Sequence, residues 1–403
     1  MAAHPAIDPG QLLPIMVHQV ATTGLSLLTN QPRQQLLART LDEKQLAAHT
    51  NFGMSLASAL EFTLAPTLGA LSDRMGRRPF MLGAPIVGLP TRLLAALWPS
   101  ARVLLAERVA SDACRAFAGT TLCYASLADL CQGDSASLVP AVASCNSAMG
   151  AGMVLAPLLS SAVARRGGGP RTAFVLAVVL TALQLLFEWR RLRETRSRSS
   201  LQQRQGPSHP FSFLRLFASG AKVRALSVVL ALQIAVDGKL LQDQISLLQL
   251  VHAKWTLGQR SLWTSAFGGV IMLGGQLTKP VLAKLGSEQA LASVAHAASV
   301  LGFLAYSRGL FWLGLLPLVI GQQRRTPTIS WLLAEAEAAG IGRGEMLAMT
   351  ANLRALVESL GPLIYGAVQR ATARRGAPMH VFYLPAVLAA VAEAVQLIAH
   401  GKS

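Results

Sequence analysis

The sequence predicts an all-α membrane protein in which twelve transmembrane helices form two six-helix bundles. Residues of the AVILMFWYC set make up 52% of the 403 residues, and the mean hydropathy is +0.44. Only 14% of the residues are charged, against roughly 25% in soluble proteins. Apolar segments of about 20 residues, long enough to cross a hydrocarbon core of about 30 Å, recur along the whole chain.

Twelve such segments follow one another, separated by short polar stretches. In the first half they cover residues 12–29, 45–72, 79–97, 101–128, 136–163 and 172–189. In the second half they cover residues 225–248, 261–285, 290–306, 310–333, 346–369 and 379–398. The first segment is the weakest, because polar residues such as His18 and Gln19 dilute it. Every segment must be helical, since an unpaired backbone amide in lipid costs several kcal/mol.

A basic stretch rich in serine and glutamine separates the two halves. It predicts bundles at residues 1–190 and 223–403, joined by a linker at residues 191–222. The positive-inside rule places this linker, and with an even number of spans both termini, in the cytoplasm. Arg165 and Arg166 fall on the opposite side and fit the rule poorly. The formal net charge of +17 is therefore interpreted as membrane topology rather than as nucleic-acid binding.

Several function classes are disfavoured by motifs that the sequence lacks. The four cysteines, Cys114, Cys123, Cys131 and Cys145, form no C-x-x-C pair, so neither a zinc site nor a disulfide framework is indicated. The metal-binding, phosphate-loop and nucleophile-elbow motifs of enzymes do not occur. We therefore expect no enzymatic activity, no metal and no cofactor. A transport process would draw on an ion gradient or on the gradient of the solute.

The most specific motif follows the second apolar segment, where residues 69–78 read GALSDRMGRR. This stretch resembles the signature loop between helices two and three of the major facilitator superfamily. The candidate gating residues are Gly69, Asp73, Arg74, Gly76, Arg77 and Arg78. In such a loop the glycine allows close helix approach, the carboxylate can cap a neighbouring helix, and the arginines tie the two halves together. The alternative is a basic turn that only obeys the positive-inside rule.

Further positions resemble the same superfamily along most of the chain. Arg108 and Asp129 are similar to the arginine of helix four and the acid that ends it. Residues 352–366 resemble helix eleven of the tetracycline-exporter and hippocampus-abundant-transcript branch. The resemblance implies a secondary transporter that moves a small organic solute across the lipid bilayer by alternating access. It also suggests a monomer, with the proton as the candidate coupling ion.

The chain departs from the family pattern at several positions. Asp112 replaces a glycine of helix four, and Gln19 stands where an acid often occurs in helix one. Ser160 and Ser161 replace glycines that follow Pro157 in helix five. These departures leave an alternative open, a non-transporting membrane receptor or scaffold that keeps the transporter fold.

Charged residues inside the apolar segments cost at least about 2.5 kcal/mol each, so they usually mark a pathway or an internal ion pair. The candidate residues of a substrate or proton pathway are Glu61, Arg108, Asp112, Asp237, Lys239, Asp243, Arg354 and Glu358. Lys239 and Asp243 have the i, i+4 spacing of a pair that could neutralise itself, and Arg108, Asp112 and Arg115 are spaced i, i+4, i+7, which places them on one helix face. Asp237 has no such partner and is a candidate proton or substrate site. The candidate helix bends are Pro157, Gly361 and Pro362.

Overall fold

The computed structural model of the chain describes residues 9–131, 135–196, 209–341 and 343–401. Within these ranges the chain is almost entirely helical and contains no strand, which confirms the predicted fold class. The first half contains α1 Pro9–Leu37, α2 Glu43–Met75, α3 Arg78–Leu97, α4 Ala101–Cys114, α5 Leu122–Cys131, α6 Ser135–Val163 and α7 Gly169–Arg191. A π-helical turn, Arg115–Thr121, joins α4 to α5, and another, Ala164–Gly168, joins α6 to α7.

The second half has the same helical character. It contains α8 Leu214–Ala218, α9 Ala221–Ala235, α10 Gly238–Val251, α11 Leu257–Leu285, α12 Glu288–Ser307, α13 Phe311–Gly321, α14 Arg325–Ala338, α15 Arg343–Arg374 and α16 Tyr383–Gly401. Short 3₁₀ turns precede α8, α14 and α16, at Pro210–Phe213, Gln322–Arg324 and Pro378–Phe382.

The predicted apolar segments coincide with these helices. Each of the twelve segments lies on a helical stretch, and eight helical stretches of the described chain are long and apolar enough to cross a membrane. These eight include α1, which carries the weakest predicted segment. The protein is therefore a multi-pass membrane protein. The count of twelve spans stays a prediction.

One predicted segment, residues 225–248, is divided into two helices. The regular helix ends at Ala235 and resumes at Gly238, which frees backbone carbonyls that a continuous helix would have used. The Tyr365 hydroxyl donates to the Ala235 carbonyl at 2.9 Å, and Arg324 Nη2 donates to the Val236 carbonyl at 2.8 Å. Side chains of other helices thus satisfy the freed carbonyls, as apolar surroundings require.

The described residues divide into two compact units. The first takes its described residues from Met1–His49, Leu56–Ser208 and Trp255–Gly268. The second takes them from Thr50–Ser55, His209–Lys254 and Gly269–Ser403.

In the first unit, α1 packs against α6 and α7, and α3 packs against α7. The contact between α1 and α6 depends on small residues. A Cβ added at Gly152 would lie 2.8 Å from the Val20 carbonyl oxygen and 3.2 Å from the Gly24 nitrogen. The two backbones therefore approach more closely than a larger residue at 152 would allow.

In the second unit, α12 packs against α13 and α16, and α9 packs against α16. Aromatic rings fill the centre of this packing. Tyr306 lies 5.8 Å from Phe311 and 5.6 Å from Phe382, measured between ring centres, and all three side chains are buried. Such edge-to-face and tilted arrangements are favourable for aromatic pairs.

Candidate functional site

A tight turn between α2 and α3 carries the predicted gating residues. Helix α2 ends at Met75, and the Gly76 N–H donates to the Ser72 carbonyl at 3.0 Å. Gly76 has a φ of 97° and a ψ of 163°, a conformation that residues with a Cβ rarely adopt. A Cβ at this position would also collide with the Glu194 carboxylate. The turn therefore requires glycine at residue 76.

The close helix approach predicted for Gly69 is not observed within the described residues. A Cβ added there would meet no atom within 4 Å, because Gly69 lies on a partly exposed face of α2. The close contact in this motif belongs to Gly76 instead.

Asp73 lies in the last turn of α2 and pairs with two arginines. Its Oδ1 is 2.6 Å from Arg77 Nη2 and 2.7 Å from Arg196 Nη1. Arg77 also donates through Nε to Asp129 Oδ2 at 3.0 Å and through Nη1 to Ser72 Oγ at 2.6 Å. Arg77 thus connects α2 to α5, and Arg196 connects α2 to the segment that follows α7.

Glu194 caps the first turn of α3. Its carboxylate accepts the backbone N–H of Arg77 at 2.8 Å and that of Arg78 at 3.1 Å. The first amides of a helix have no acceptor within the helix, and a negative charge there is favourable for the helix dipole. Sequence analysis predicted that Asp73 could cap a neighbouring helix. In the structure Glu194 provides the cap and Asp73 forms the ion pairs.

The other arginines of the motif make different contacts. Arg78 Nη2 donates to the Trp189 carbonyl at 2.8 Å, and its guanidinium carbon lies 5.7 Å from the centre of the Trp189 ring. Arg74 is exposed. These described contacts of Arg77 and Arg78 all lie within the first unit, whereas the motif predicts a link between the two halves.

A carboxylate on α4 that sequence analysis missed is the centre of a buried polar group. Glu107 is fully buried, and its Oε2 accepts from Arg33 Nε at 3.0 Å and from Arg33 Nη2 at 2.6 Å. Its Oε1 accepts from Ser111 Oγ at 2.9 Å and lies 4.0 Å from Arg92 Nε. Arg92 also donates to Thr181 Oγ1 at 2.6 Å. One carboxylate thus serves two buried arginines.

One turn further along the chain, Asp112 has a similar arrangement. Its Oδ2 lies 3.4 Å from Arg108 Nε, and its Oδ1 lies 3.6 Å from Arg115 Nη2. Ser26 Oγ of α1 donates to Oδ1 at 3.1 Å. The spacing in the sequence predicts that these three charges share one helix face, and the structure brings them together.

His18 and Glu188 form a fully buried pair between α1 and α7. His18 Nδ1 lies 2.9 Å from Glu188 Oε1, and His18 Nε2 lies 3.2 Å from the Ala118 carbonyl oxygen. Since a carbonyl can only accept, Nε2 carries a hydrogen, and the contact with Glu188 requires one more proton on either group. The pair is therefore neutral overall. Gln184 Nε2 also donates to Glu188 Oε1, at 2.7 Å.

Asp237 lies in the break between α9 and α10 and contacts two arginines. Arg325 Nη1 donates to its Oδ2, and Arg324 Nη2 lies 3.8 Å from its Oδ1. Sequence analysis left Asp237 without a partner because spacing along one helix cannot show a residue that follows 88 positions later, as Arg325 does. Asp237 is held by these arginines.

A second histidine–carboxylate pair lies in the second unit. His296 Nδ1 is 2.8 Å from Glu393 Oε2, and Gln233 Nε2 is 3.0 Å from His296 Nε2. Because the amide nitrogen donates, His296 Nε2 accepts and Nδ1 carries the hydrogen that is donated to Glu393. His296 is therefore neutral in this arrangement, and Glu393 carries a negative charge.

The remaining predicted pathway residues lie on α2, α10 and α15. Glu61 is buried on α2, Asp243 on α10 and Glu358 on α15, with Arg354 one turn before it. Lys239 lies in α10, and its side chain is outside the part of the chain whose side chains the structure describes.

The predicted helix bends, Pro157, Gly361 and Pro362, lie inside the continuous helices α6 and α15.

Glu107 and Glu188 could have been found from the sequence by the rule that selected Glu61, since each is a charge inside a predicted apolar segment. Arg324 and Arg325 belong to the same class. Arg33 lies beyond the predicted segment 12–29, and only the structure extends α1 to Leu37. Within the described residues, no group of three His, Cys, Asp or Glu side chains is placed to hold a metal ion.

Comparison with known proteins identifies the family. The sequence profile of the Major Facilitator Superfamily matches residues 38–368. The chain belongs to this superfamily. It is therefore a secondary transporter rather than an enzyme, and as a member of the Major Facilitator Superfamily it carries a small-molecule solute across the lipid bilayer. This membership favours transport over the receptor or scaffold alternative.

Similar proteins agree with the predicted branch of the Major Facilitator Superfamily. The class C tetracycline resistance protein of Escherichia coli is 25% identical over 370 residues, which cover 87% of this chain and 90% of the relative. The class G protein of Vibrio anguillarum is 25% identical over 349 residues, covering 84% and 85%. The human organic anion transporter MFSD10 has a similar fold, with a TM-score of 0.69 and 20% identity, covering 96% of this chain and 99% of that chain.

Proposed function

We propose that this superfamily member moves a small organic anion by alternating access. The observation that carries the proposal is the group of arginines around two carboxylates of α4 in the first unit. Each of two carboxylates on α4, Glu107 and Asp112, lies between two arginines. Four arginines, Arg33, Arg92, Arg108 and Arg115, therefore contact two acids, so the arginines of this group outnumber its acids.

The neighbouring ion pairs have no such surplus of arginines. The His18 and Glu188 pair is neutral overall. In the second unit, Asp237 and Glu393 together balance the two arginines that contact Asp237. Buried net charge is costly because burial removes the water that would solvate it. An anionic solute that binds near the arginines of α3 and α4 would reduce that cost.

Two relatives support the proposed solute class. The solved structure of MFSD10 is titled as that of an organic anion transporter, and the curated relatives are tetracycline resistance proteins. Both descriptions fit a small organic solute. The first also fits a solute with a negative charge that binds near the arginines of α3 and α4.

The proposed solute class is tested by uptake into proteoliposomes of three aromatic solutes of equal size, a carboxylate, its neutral amide and the matching amine. We expect uptake of the carboxylate, and we expect Arg92→Gln to reduce it at least about tenfold, because one charge-assisted contact is worth about 1.5–3 kcal/mol. Arg102→Gln, an exposed arginine on α4, is the matched control and should keep wild-type uptake. Equal uptake of carboxylate and amine would contradict the proposal.

We further propose that two bundles, residues 1–190 and 223–403, rock about the linker at residues 191–222, and that the monomer is the working unit. The contacts of Asp73 support a gate at the turn between α2 and α3, because ion pairs of this kind can break and reform. The pathway residues on α2, α4, α10 and α15 supply the charges that solute and protons would meet.

Proton coupling is proposed on two carboxylates, the partly exposed Asp237 and the buried Glu61. Asp237→Asn keeps the size of the side chain but cannot titrate, so solute uptake by this variant should lose its dependence on a pH gradient. Glu61→Gln, measured in the same way, distinguishes the two acids. If both variants respond to the gradient as the wild type does, transport does not use these acids for coupling.

A further inference from the structure

A cavity of about 700 Å³ lies in the first unit, outside the ion pairs described above. It is lined by the region around the end of α1, the end of α6, the turn before α7 and the start of α11. The gating residues and the residues of the buried ion pairs do not line this cavity. Its lining has three properties that together define a ligand.

The first property is an unbalanced positive charge. Arg39 and Arg165 line the cavity, and no acidic side chain does. Neither arginine pairs with a carboxylate in the part of the chain that the structure describes. Arg171 lies two positions after the lining residue Gly169 but makes a different contact. It donates to the Ala96 carbonyl at the end of α3 at 2.6 Å.

The second property is a buried polar atom without a partner. Ser161 lines the cavity with a side chain that is only 2% exposed, and its Oγ has no hydrogen-bond partner among the described residues. Gln35, also in the lining, has a buried Oε1 in the same condition. Such atoms are costly to leave unsatisfied, and a ligand group in the cavity would give the hydroxyl a partner.

The third property is an apolar wall. Leu158, Leu257 and Leu262 line the same cavity beside the arginines. A ligand that fits has a negatively charged group for the arginines and a hydrocarbon part for the leucines.

We propose that this cavity binds an amphiphilic anion, a phosphate or carboxylate group attached to a hydrocarbon chain. The site is separate from the proposed solute pathway. It also gives a role to Arg165, which fits the positive-inside rule poorly. Two sources share this chemistry, a lipid of the surrounding bilayer and a free amphiphile.

The test titrates the purified full-length protein, in a neutral detergent, with dodecyl phosphate and follows the shift in thermal unfolding. We expect Arg39→Gln and Arg165→Gln each to raise the Kd for dodecyl phosphate about tenfold, since each removes one charge-assisted contact. Arg166→Gln removes the same charge from the next position of the same turn, which does not line the cavity, and should keep the wild-type Kd.

A second pair of variants tests the buried hydroxyl. Ser161→Ala should weaken binding of dodecyl phosphate, whereas Ser160→Ala should not, because Ser160 is equally buried and does not line the cavity. Dodecanol and inorganic phosphate serve as control probes. The proposal is wrong if either probe alone shifts unfolding as much as dodecyl phosphate does, or if the double variant Arg39→Gln/Arg165→Gln binds dodecyl phosphate like the wild type.

The two sources are distinguished by mass spectrometry of lipids that remain with the purified protein. Anionic phospholipid retained by the wild type and Arg166→Gln, but lost from Arg39→Gln/Arg165→Gln, assigns the site to a bilayer lipid. Binding of dodecyl phosphate without any retained anionic lipid assigns it to a free amphiphile. These readouts measure binding only, so their result is independent of solute transport.

Discussion

Gly76 and Gly69 differ in what a methyl group would meet, although both belong to one motif. Gly76→Ala should destabilise the protein by about 1–3 kcal/mol, because its backbone conformation is strained for residues with a Cβ and the methyl group would displace the Glu194 carboxylate. Gly69→Ala should be neutral or slightly stabilising, since it lies in a helix with open space around it. Thermal unfolding of both variants, beside solute uptake, measures the difference. Equal unfolding temperatures would show that the turn does not depend on Gly76.

Replacement of Glu107 should lower the stability of the folded protein strongly. Glu107→Gln removes the negative charge between Arg33 and Arg92 while keeping the shape of the side chain. Breaking a buried ion pair in this way typically costs about 3–5 kcal/mol. Glu288→Gln, at an exposed acid in the first turn of α12, should cost about 0.3–1 kcal/mol. Comparable losses of stability at the two positions would mean that Glu107 is not the charge that holds these arginines.

At this scale the sequence predicted the residues of the loop but not all their roles. Asp73 was recognised from its motif, and Arg108, Asp112 and Arg115 from helical spacing, because both signals are local in the chain. The cap on α3 could not be predicted. Glu194 lies 116 positions from the Arg78 amide that it accepts, and only the folded chain brings the two together.

At the scale of helices, the break between α9 and α10 depends on the hydroxyl of Tyr365. Tyr365→Phe leaves the buried Ala235 carbonyl without its hydroxyl donor, and an unsatisfied buried acceptor costs about 1–3 kcal/mol. Tyr383→Phe, at a partly exposed tyrosine on α16, should have little effect. Thermal unfolding of the two variants in the same detergent checks the expectation, which fails if Tyr365→Phe unfolds at the wild-type temperature.

Hydropathy predicted the position of these helices well but not their interruptions. Residues 225–248 are mostly apolar despite Asp237, Lys239 and Asp243, so hydropathy predicts one span, yet the regular helix stops after Ala235. The interruption is possible because Tyr365 and Arg324 donate to the freed carbonyls. A hydropathy profile of residues 225–248 contains no information about hydrogen-bond donors on other helices.

At the scale of the whole molecule, the predicted membrane topology can be tested by experiment. We expect tags at Ser200 and Ser403, both outside the described residues, to be accessible from the cytoplasm, because the basic linker is placed there and an even number of spans returns the chain to the same side. Protease access in intact cells and in inverted vesicles measures this. Tags that report opposite sides would contradict the count of twelve spans.

The helical membrane fold was predictable from composition and segment length, and the resemblance of the motif at residues 69–78 indicated the superfamily. The charge network was predictable only in part. Local pairs such as Arg108 and Asp112 follow from spacing, whereas Glu107 with Arg33 and Asp237 with Arg325 join distant parts of the chain.

The sharing of Glu107, Asp112 and Asp237 between two arginines each makes these ion pairs tolerant of substitution on one side only. When one arginine of a pair is replaced, the acid keeps a counter-ion, but replacing Glu107, Asp112 or Asp237 strands two cations at once. In a selection for folded protein alone, random mutagenesis should therefore accumulate substitutions among these arginines while the three acids stay fixed. Because each of these acids contacts two arginines, one arginine can be replaced and the acid still has a positively charged partner.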